Sequence, residues 1–81
     1  MRFAAVVDVM PKEGIADPQG QTIEKALPAL GYRGVAGIRV GKRIELEVEA
    51  EDPEQARDRV MEMCERLLAN PVIEAYEVTI R

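Results

Sequence analysis

Apolar and polar residues recur along this chain with two periods, and the change from one to the other divides it into elements. The first apolar run is Arg2–Met10, RFAAVVDVM, whose valines favour a strand. Phe3, Ala5, Val7 and Val9 share one face; Arg2, Ala4, Val6, Asp8 and Met10 share the other. Both faces carry apolar residues, so a central strand is expected, or one covered by a partner. After a loop over Pro11–Ala16, Asp17-Pro18 signals a helix start: a carboxylate at the N-cap, then proline where a missing N–H costs nothing. Ile23, Ala26, Leu27 and Leu30 follow on one helical face. Pro28 predicts a kink or an early end, and Gly31 a C-terminal cap.

Two further apolar runs, Gly34–Val40 and Arg43–Ala50, read as strands joined by a hairpin turn at Gly41-Lys42. In the second, Ile44, Leu46, Val48 and Ala50 alternate with Arg43, Glu45, Glu47 and Glu49, the signature of a half-buried strand. Asp52-Pro53 repeats the helix start. Ala56, Val60, Met63, Cys64 and Leu67, widened by Leu68, mark an apolar stripe at helical spacing. Asn70-Pro71 ends that helix, since Asn tolerates the left-handed cap conformation and Pro cannot continue the turn. Val72–Ile80 is the last strand, with Tyr76, Val78 and Ile80 on one face.

The order βαββαβ predicts an α+β, ferredoxin-like sandwich, one domain over residues 1–81, with two helices covering one sheet face. The other face is polar where Glu45, Glu47 and Glu49 lie. A chain of this length gains a modest core, so use of a sheet face for oligomerisation is expected.

Composition narrows the chemistry. The chain has no His, no Ser and no Trp, and one cysteine, Cys64. Ser-His and Cys-His nucleophiles are thereby excluded, as are zinc sites built from His and several Cys. No catalytic residue and no metal site is expected. Eleven Lys+Arg against fifteen Asp+Glu leave a net charge of −4. That balance, with three aromatics in all, argues against a nucleic-acid surface. No run approaches a membrane span and no signal-peptide pattern opens the chain, so a cytoplasmic setting is expected.

Five groups of residues invite a functional reading. Arg39, Lys42 and Arg43 around Gly41 have the chemistry to clamp a phosphate or carboxylate; a hairpin turn with solvated charges has the same residues. Gly31-Tyr32-Arg33-Gly34 reads as a binding loop or as a helix cap and strand entry. Asp17-Pro18-Gln19-Gly20 lacks the spacing of a phosphate-binding loop, and capping is a sufficient role. Cys64 reads as core, and the glutamates of the alternating strand point outward in parallel without converging on a cation.

Three ordered segments carry a family resemblance: Asp17-Pro18-Gln19-Gly20; Leu30-Gly31-Tyr32 with Val35 and Ile38-Arg39-Val40-Gly41-Lys42; and Met63-Cys64-Glu65-Arg66-Leu67-Leu68-Ala69-Asn70-Pro71-Val72-Ile73-Glu74. Their order and spacing resemble PurS, the small subunit of phosphoribosylformylglycinamidine synthase. The resemblance implies a non-catalytic subunit of an enzyme of purine biosynthesis. That enzyme converts formylglycinamide ribonucleotide, ATP and glutamine to formylglycinamidine ribonucleotide, ADP, phosphate and glutamate. It implies two partners, a glutaminase chain that releases ammonia and a large synthetase chain that uses ATP and Mg2+, with no cofactor held by this chain. It also implies a homodimer or tetramer. Extended to contact roles, the motifs single out Arg39, Gly41 and Lys42, then Tyr32, Asn70 and Pro71. The competing reading is a dimeric ferredoxin-like regulatory domain that binds a small molecule.

Overall fold

A computed structural model describes residues 1–81. Strand β1 spans Arg2–Pro11, helix α1 Pro18–Ala26, strand β2 Lys42–Glu49, helix α2 Pro53–Met63 and strand β3 Glu74–Ile80. The sheet order is β2-β1-β3, with both neighbours antiparallel to β1. The register opposes Phe3 to Val48, Val7 to both Ile44 and Val78, and Val9 to Tyr76. Directly opposed residues share a face, so the alternations predicted in all three strands converge on one apolar side.

Helix α2 covers that side. Ala56, Val60 and Cys64 are fully buried against Ala5, Val7, Val9, Val48 and Val78. Asp52 caps the helix by accepting from the Gln55 N–H at 2.7 Å, and Gln55 Oε1 accepts from the Glu51 N–H at 2.7 Å. Arg57 and Arg59 reach over the flanks of the helix to donate to the Val78 and Glu49 carbonyls, at 2.8 and 2.5 Å. The opposite sheet face is charged. Arg2 pairs with Glu47 and Glu49, and Arg43 with Asp8 and Glu45.

The α+β, ferredoxin-like character stands, with three strands where four were expected. Residues 34–40 form no strand. The outer edge of β2 is left unpaired, because Gly34 and Gly37 adopt positive φ (77° and 71°), which interrupts an extended run. There is therefore no hairpin at Gly41-Lys42. Gly41 serves close approach: a Cβ there would lie 2.2 Å from both the Val9 carbonyl oxygen and Met10 Sδ.

Helix α1 does not lie on the sheet beside α2. It projects from the sheet's end, continued by a 3-10 turn over Leu27–Leu30 and capped by Gly31 at φ 95°. Pro28 ends regular α-helix as expected, because its ring removes the N–H that the next turn needs. The projection makes the chain 52 Å long and only 15 Å thick. Its radius of gyration is 16.3 Å, where roughly 12 Å is usual for a compact chain of this length.

The exit of α2 also departs from its pattern. Cys64–Leu68 form a π-turn, closed by the Ala69 N–H donating to the Cys64 carbonyl at 3.1 Å. The extra residue per turn swings Leu67 off the apolar stripe, leaving it 83% exposed, and brings Ala69 into the core. Asn70 is not left-handed, since every positive φ belongs to glycine. It works through its own oxygens: Oδ1 accepts from the Val72 N–H, and the carbonyl accepts from Ile73 and Glu74. That turn delays the last strand to Glu74.

Candidate interaction site

Three connecting segments meet where β1 ends and β2 and β3 begin. The 70–73 turn is tied to the loop after β1 twice: the Lys12 N–H donates to the Ile73 carbonyl at 2.9 Å, and Lys12 Nζ to the Pro71 carbonyl at 2.7 Å. Residues 37–41 are tied to the same loop by Arg39, whose guanidinium donates to the Pro11 carbonyl. Gly41 lies on Val9 and Met10 just below. Four of the six residues singled out from sequence, Arg39, Gly41, Asn70 and Pro71, thus lie together at one end of the sheet. Lys42 opens β2 beside them, opposite Val9, exposed and without an ion pair. Tyr32 is elsewhere, 60% exposed in the turn at the far end of the projection.

Between the 11–15 loop, α1 and residues 37–39 lies a cleft of about 310 Å3. It contains Lys12 and Arg39 among Glu13, Asp17 and Glu24. Both cations are engaged with main-chain carbonyls. Asp17 Oδ2 accepts from the Val40 N–H at 2.8 Å and Oδ1 from the Gly20 N–H at 3.0 Å. Those two bonds, with the Arg39 charge nearby, hold its carboxyl below the usual carboxylate range. Glu24 Oε1 accepts from the Gly37 N–H at 2.7 Å. No buried side-chain polar atom is left without a partner. Lys12, Arg39, Asp17 and Glu24 thus serve the fold, which leaves the cleft without a free cation for an anionic ligand.

No group of His, Cys, Asp and Glu is arranged to hold a metal ion. Cys64 is buried, and burial together with the Glu65 charge pushes its thiol up, away from the nucleophilic thiolate. No helix is long and apolar enough to cross a membrane.

The projection has the features of a contact surface instead. Ile23, Leu30, Tyr32 and Val35 are exposed along it, Leu30 by 71%. An apolar stripe predicted to face a core faces no core within this chain. Leu67 also stands out, with Met63 and Leu68 in a shallow groove rimmed by Arg59, Glu62 and Arg66. Sequence periodicity conceals this groove, because the π-turn that exposes Leu67 has no composition signal. Asp17 reads from sequence as a cap only, and nothing there singles out Glu24, while both bind main chain farther along the sequence.

Comparison with known proteins adds an independent line. The family model PurS, phosphoribosylformylglycinamidine (FGAM) synthase, matches residues 4–81. The chain is 47% identical over 77 residues to the phosphoribosylformylglycinamidine synthase subunit PurS of Mycobacterium leprae, covering 93% of this chain and 91% of that one. It is 46% identical over 76 residues to that of Thermotoga maritima, covering 94% and 93%. Its fold is similar to a chain in the structure of PurLQS from Thermotoga maritima, with a TM-score of 0.89, 43% identity, and 100% and 99% of the two chains covered.

Proposed function

The chain belongs to the PurS family of phosphoribosylformylglycinamidine synthase subunits, and from that premise we propose that it acts as the assembly subunit of the enzyme. It takes part in purine biosynthesis without carrying the chemistry. ATP and Mg2+ belong to the synthetase chain, and glutamine hydrolysis to the glutaminase chain. This chain bridges the two, so that ammonia released at one site reaches the ribonucleotide at the other.

The observation that supports this reading best is the projection. A small domain gains little by extending an apolar helix into water, because about 25 cal/mol is forgone for each Å2 of apolar surface left exposed. Ile23, Leu30, Tyr32 and Val35 acquire a purpose when another chain covers them. A second copy supplies part of that cover, consistent with a homodimer or tetramer built on the uncovered part of the sheet, Ile44 and Leu46, both only half-buried. The partner chains supply the rest. Arg39, Gly41, Lys42, Asn70 and Pro71 form the adjoining contact patch, with Tyr32 at the tip. Lys42 in the patch and Tyr32 at the tip face outward, while Arg39 and Asn70 shape the main chain.

The small-molecule sensor reading has less support. The cleft is at the lower limit of ligand sites in volume, and its two cations, Lys12 and Arg39, already donate to main-chain carbonyls.

The test is assembly. Lys42→Glu and Tyr32→Ala, singly and together, remove outward contacts without touching a core side chain. Sedimentation of the three chains mixed with glutamine and ATP reads the outcome. The double variant is expected to keep its fold and lose at least tenfold in affinity for the partners, about 1.4 kcal/mol. Undiminished affinity overturns the contact assignment.

A further inference from the structure

Residues 37–40 run beside α1 with no strand partner, yet their main chain is held at fixed points. The Gly37 N–H donates to Glu24 at 2.7 Å, and the Val40 N–H to Asp17 Oδ2 at 2.8 Å. Asp17 also accepts from the Gly20 N–H through its other oxygen, so one carboxylate joins the first turn of α1 to the end of the free segment. Helix and segment touch through main chain there: a Cβ on Gly20 would lie 2.5 Å from the Ile38 carbonyl oxygen. Arg39 ties the segment to Pro11 at the end of β1. Since α1 does not lie on the sheet, these contacts set the direction in which the projection leaves it.

We propose that Asp17 and Glu24 are positioning residues, whose carboxylates clamp residues 37–40 along α1 and fix the angle of the projection for assembly with the partner chains. The inference rests on reading the projection as a docking element. Hydrogen bonds to ionised acceptors are stronger than neutral ones, so two half-buried carboxylates are enough to order a segment that has no sheet. A projection ordered beforehand loses less freedom on docking, which raises affinity without adding a contact.

Conservative variants separate clamping from capping. Asp17→Asn retains a good N-cap, since the amide oxygen still accepts from Gly20. It cannot accept from Val40 as well, because its other group is a donor. Glu24→Gln keeps the acceptor for Gly37, and Glu24→Ala removes it. Two readouts are needed: amide hydrogen exchange at Gly37 and Val40, and the amount of this chain that half-saturates glutamine-driven synthesis by the reconstituted enzyme. Asp17→Asn is expected to speed exchange at Val40, and Glu24→Ala at Gly37, with the β1 amides unchanged. Each should raise the half-saturating amount about tenfold, with the rate at saturation preserved. Glu24→Gln should restore both readouts.

Unchanged exchange, or faster exchange with an unchanged half-saturating amount, overturns the clamp. A tip variant, Val35→Asp, distinguishes the failures. If it weakens assembly while Asp17→Asn and Glu24→Ala do not, the projection docks but the clamp is dispensable. If none of the three weakens assembly, the docking reading itself falls.

Discussion

Val60 and Leu67 both belong to the apolar stripe of the second helix, and the structure assigns them opposite fates. Val60 is 0% exposed and Leu67 is 83% exposed. Val60→Ala removes two methyl carbons from the core. At about 0.8 kcal/mol per buried carbon, with a further contribution from the cavity, the loss is about 2–3 kcal/mol. In a domain of this size 1 kcal/mol moves the melting temperature by roughly 4–8 °C, so a fall of about 10 °C or more is expected. Leu67→Ala removes a larger side chain, but only about a sixth of it is out of water. Scaling the roughly 2–3 kcal/mol of a fully buried leucine gives about 0.4 kcal/mol, a shift of about 3 °C at most. Thermal and denaturant unfolding of both variants over a range of protein concentrations measures the difference, since any assembly contribution appears as concentration dependence. A concentration-independent loss at Leu67 equal to that at Val60 would refute the π-turn, because an unbroken α-helix would carry Leu67 into the core.

Three other outcomes follow from particular contacts. Gly41→Ala places a methyl group 2.2 Å from the Val9 carbonyl oxygen and Met10 Sδ, and should destabilise the fold by about 1–3 kcal/mol in denaturant unfolding. Tolerance of that change would mean that the segment does not run over β1. The Tyr76 hydroxyl donates to Glu65 at 2.6 Å, which with partial burial pushes its phenol up to about 12. A phenol raised when folded stabilises fully below its ordinary value near 10 and ceases to do so as pH rises through 12. A phenolate absorbance titration should therefore show a late phase near 12 that Glu65→Ala moves down; the absence of that phase contradicts the contact. Asp17 shifts the other way. Its lowered value means that the clamp is intact above about pH 3.8 and is lost as pH falls through the folded value. The Val40 and Gly20 amide resonances should titrate below pH 3.8, and a midpoint above it would argue against the two bonds.

The elements were legible in the sequence where local chemistry decides them. Both Asp-Pro pairs start helices, Pro28 and Gly31 end one, and the alternation of Ile44, Leu46 and Val48 gives the inward face of β2. Features decided by distant partners were not legible. Residues 34–40 have strand composition, but Gly34 and Gly37 take positive φ, and the Gly37 and Val40 N–H groups go to Glu24 and Asp17 rather than to the free edge of β2. The stripe of α1 has the spacing of a core face, and periodicity says nothing about whose core it faces. Arg39, Gly41, Asn70 and Pro71 were found as a recurring motif, and the fold brings them to one end of the sheet. Tyr32 is separated from them by the length of the projection.

As a bridging subunit, this chain would couple glutamine hydrolysis to synthesis without catalysing either. Reconstitution of the matching synthetase and glutaminase chains with ATP and formylglycinamide ribonucleotide tests it most directly, with and without this chain, and with either glutamine or ammonium as the nitrogen source. Omission should abolish or severely reduce synthesis from glutamine while synthesis from ammonium continues nearly unchanged. Equal rates from glutamine with and without the chain would contradict it.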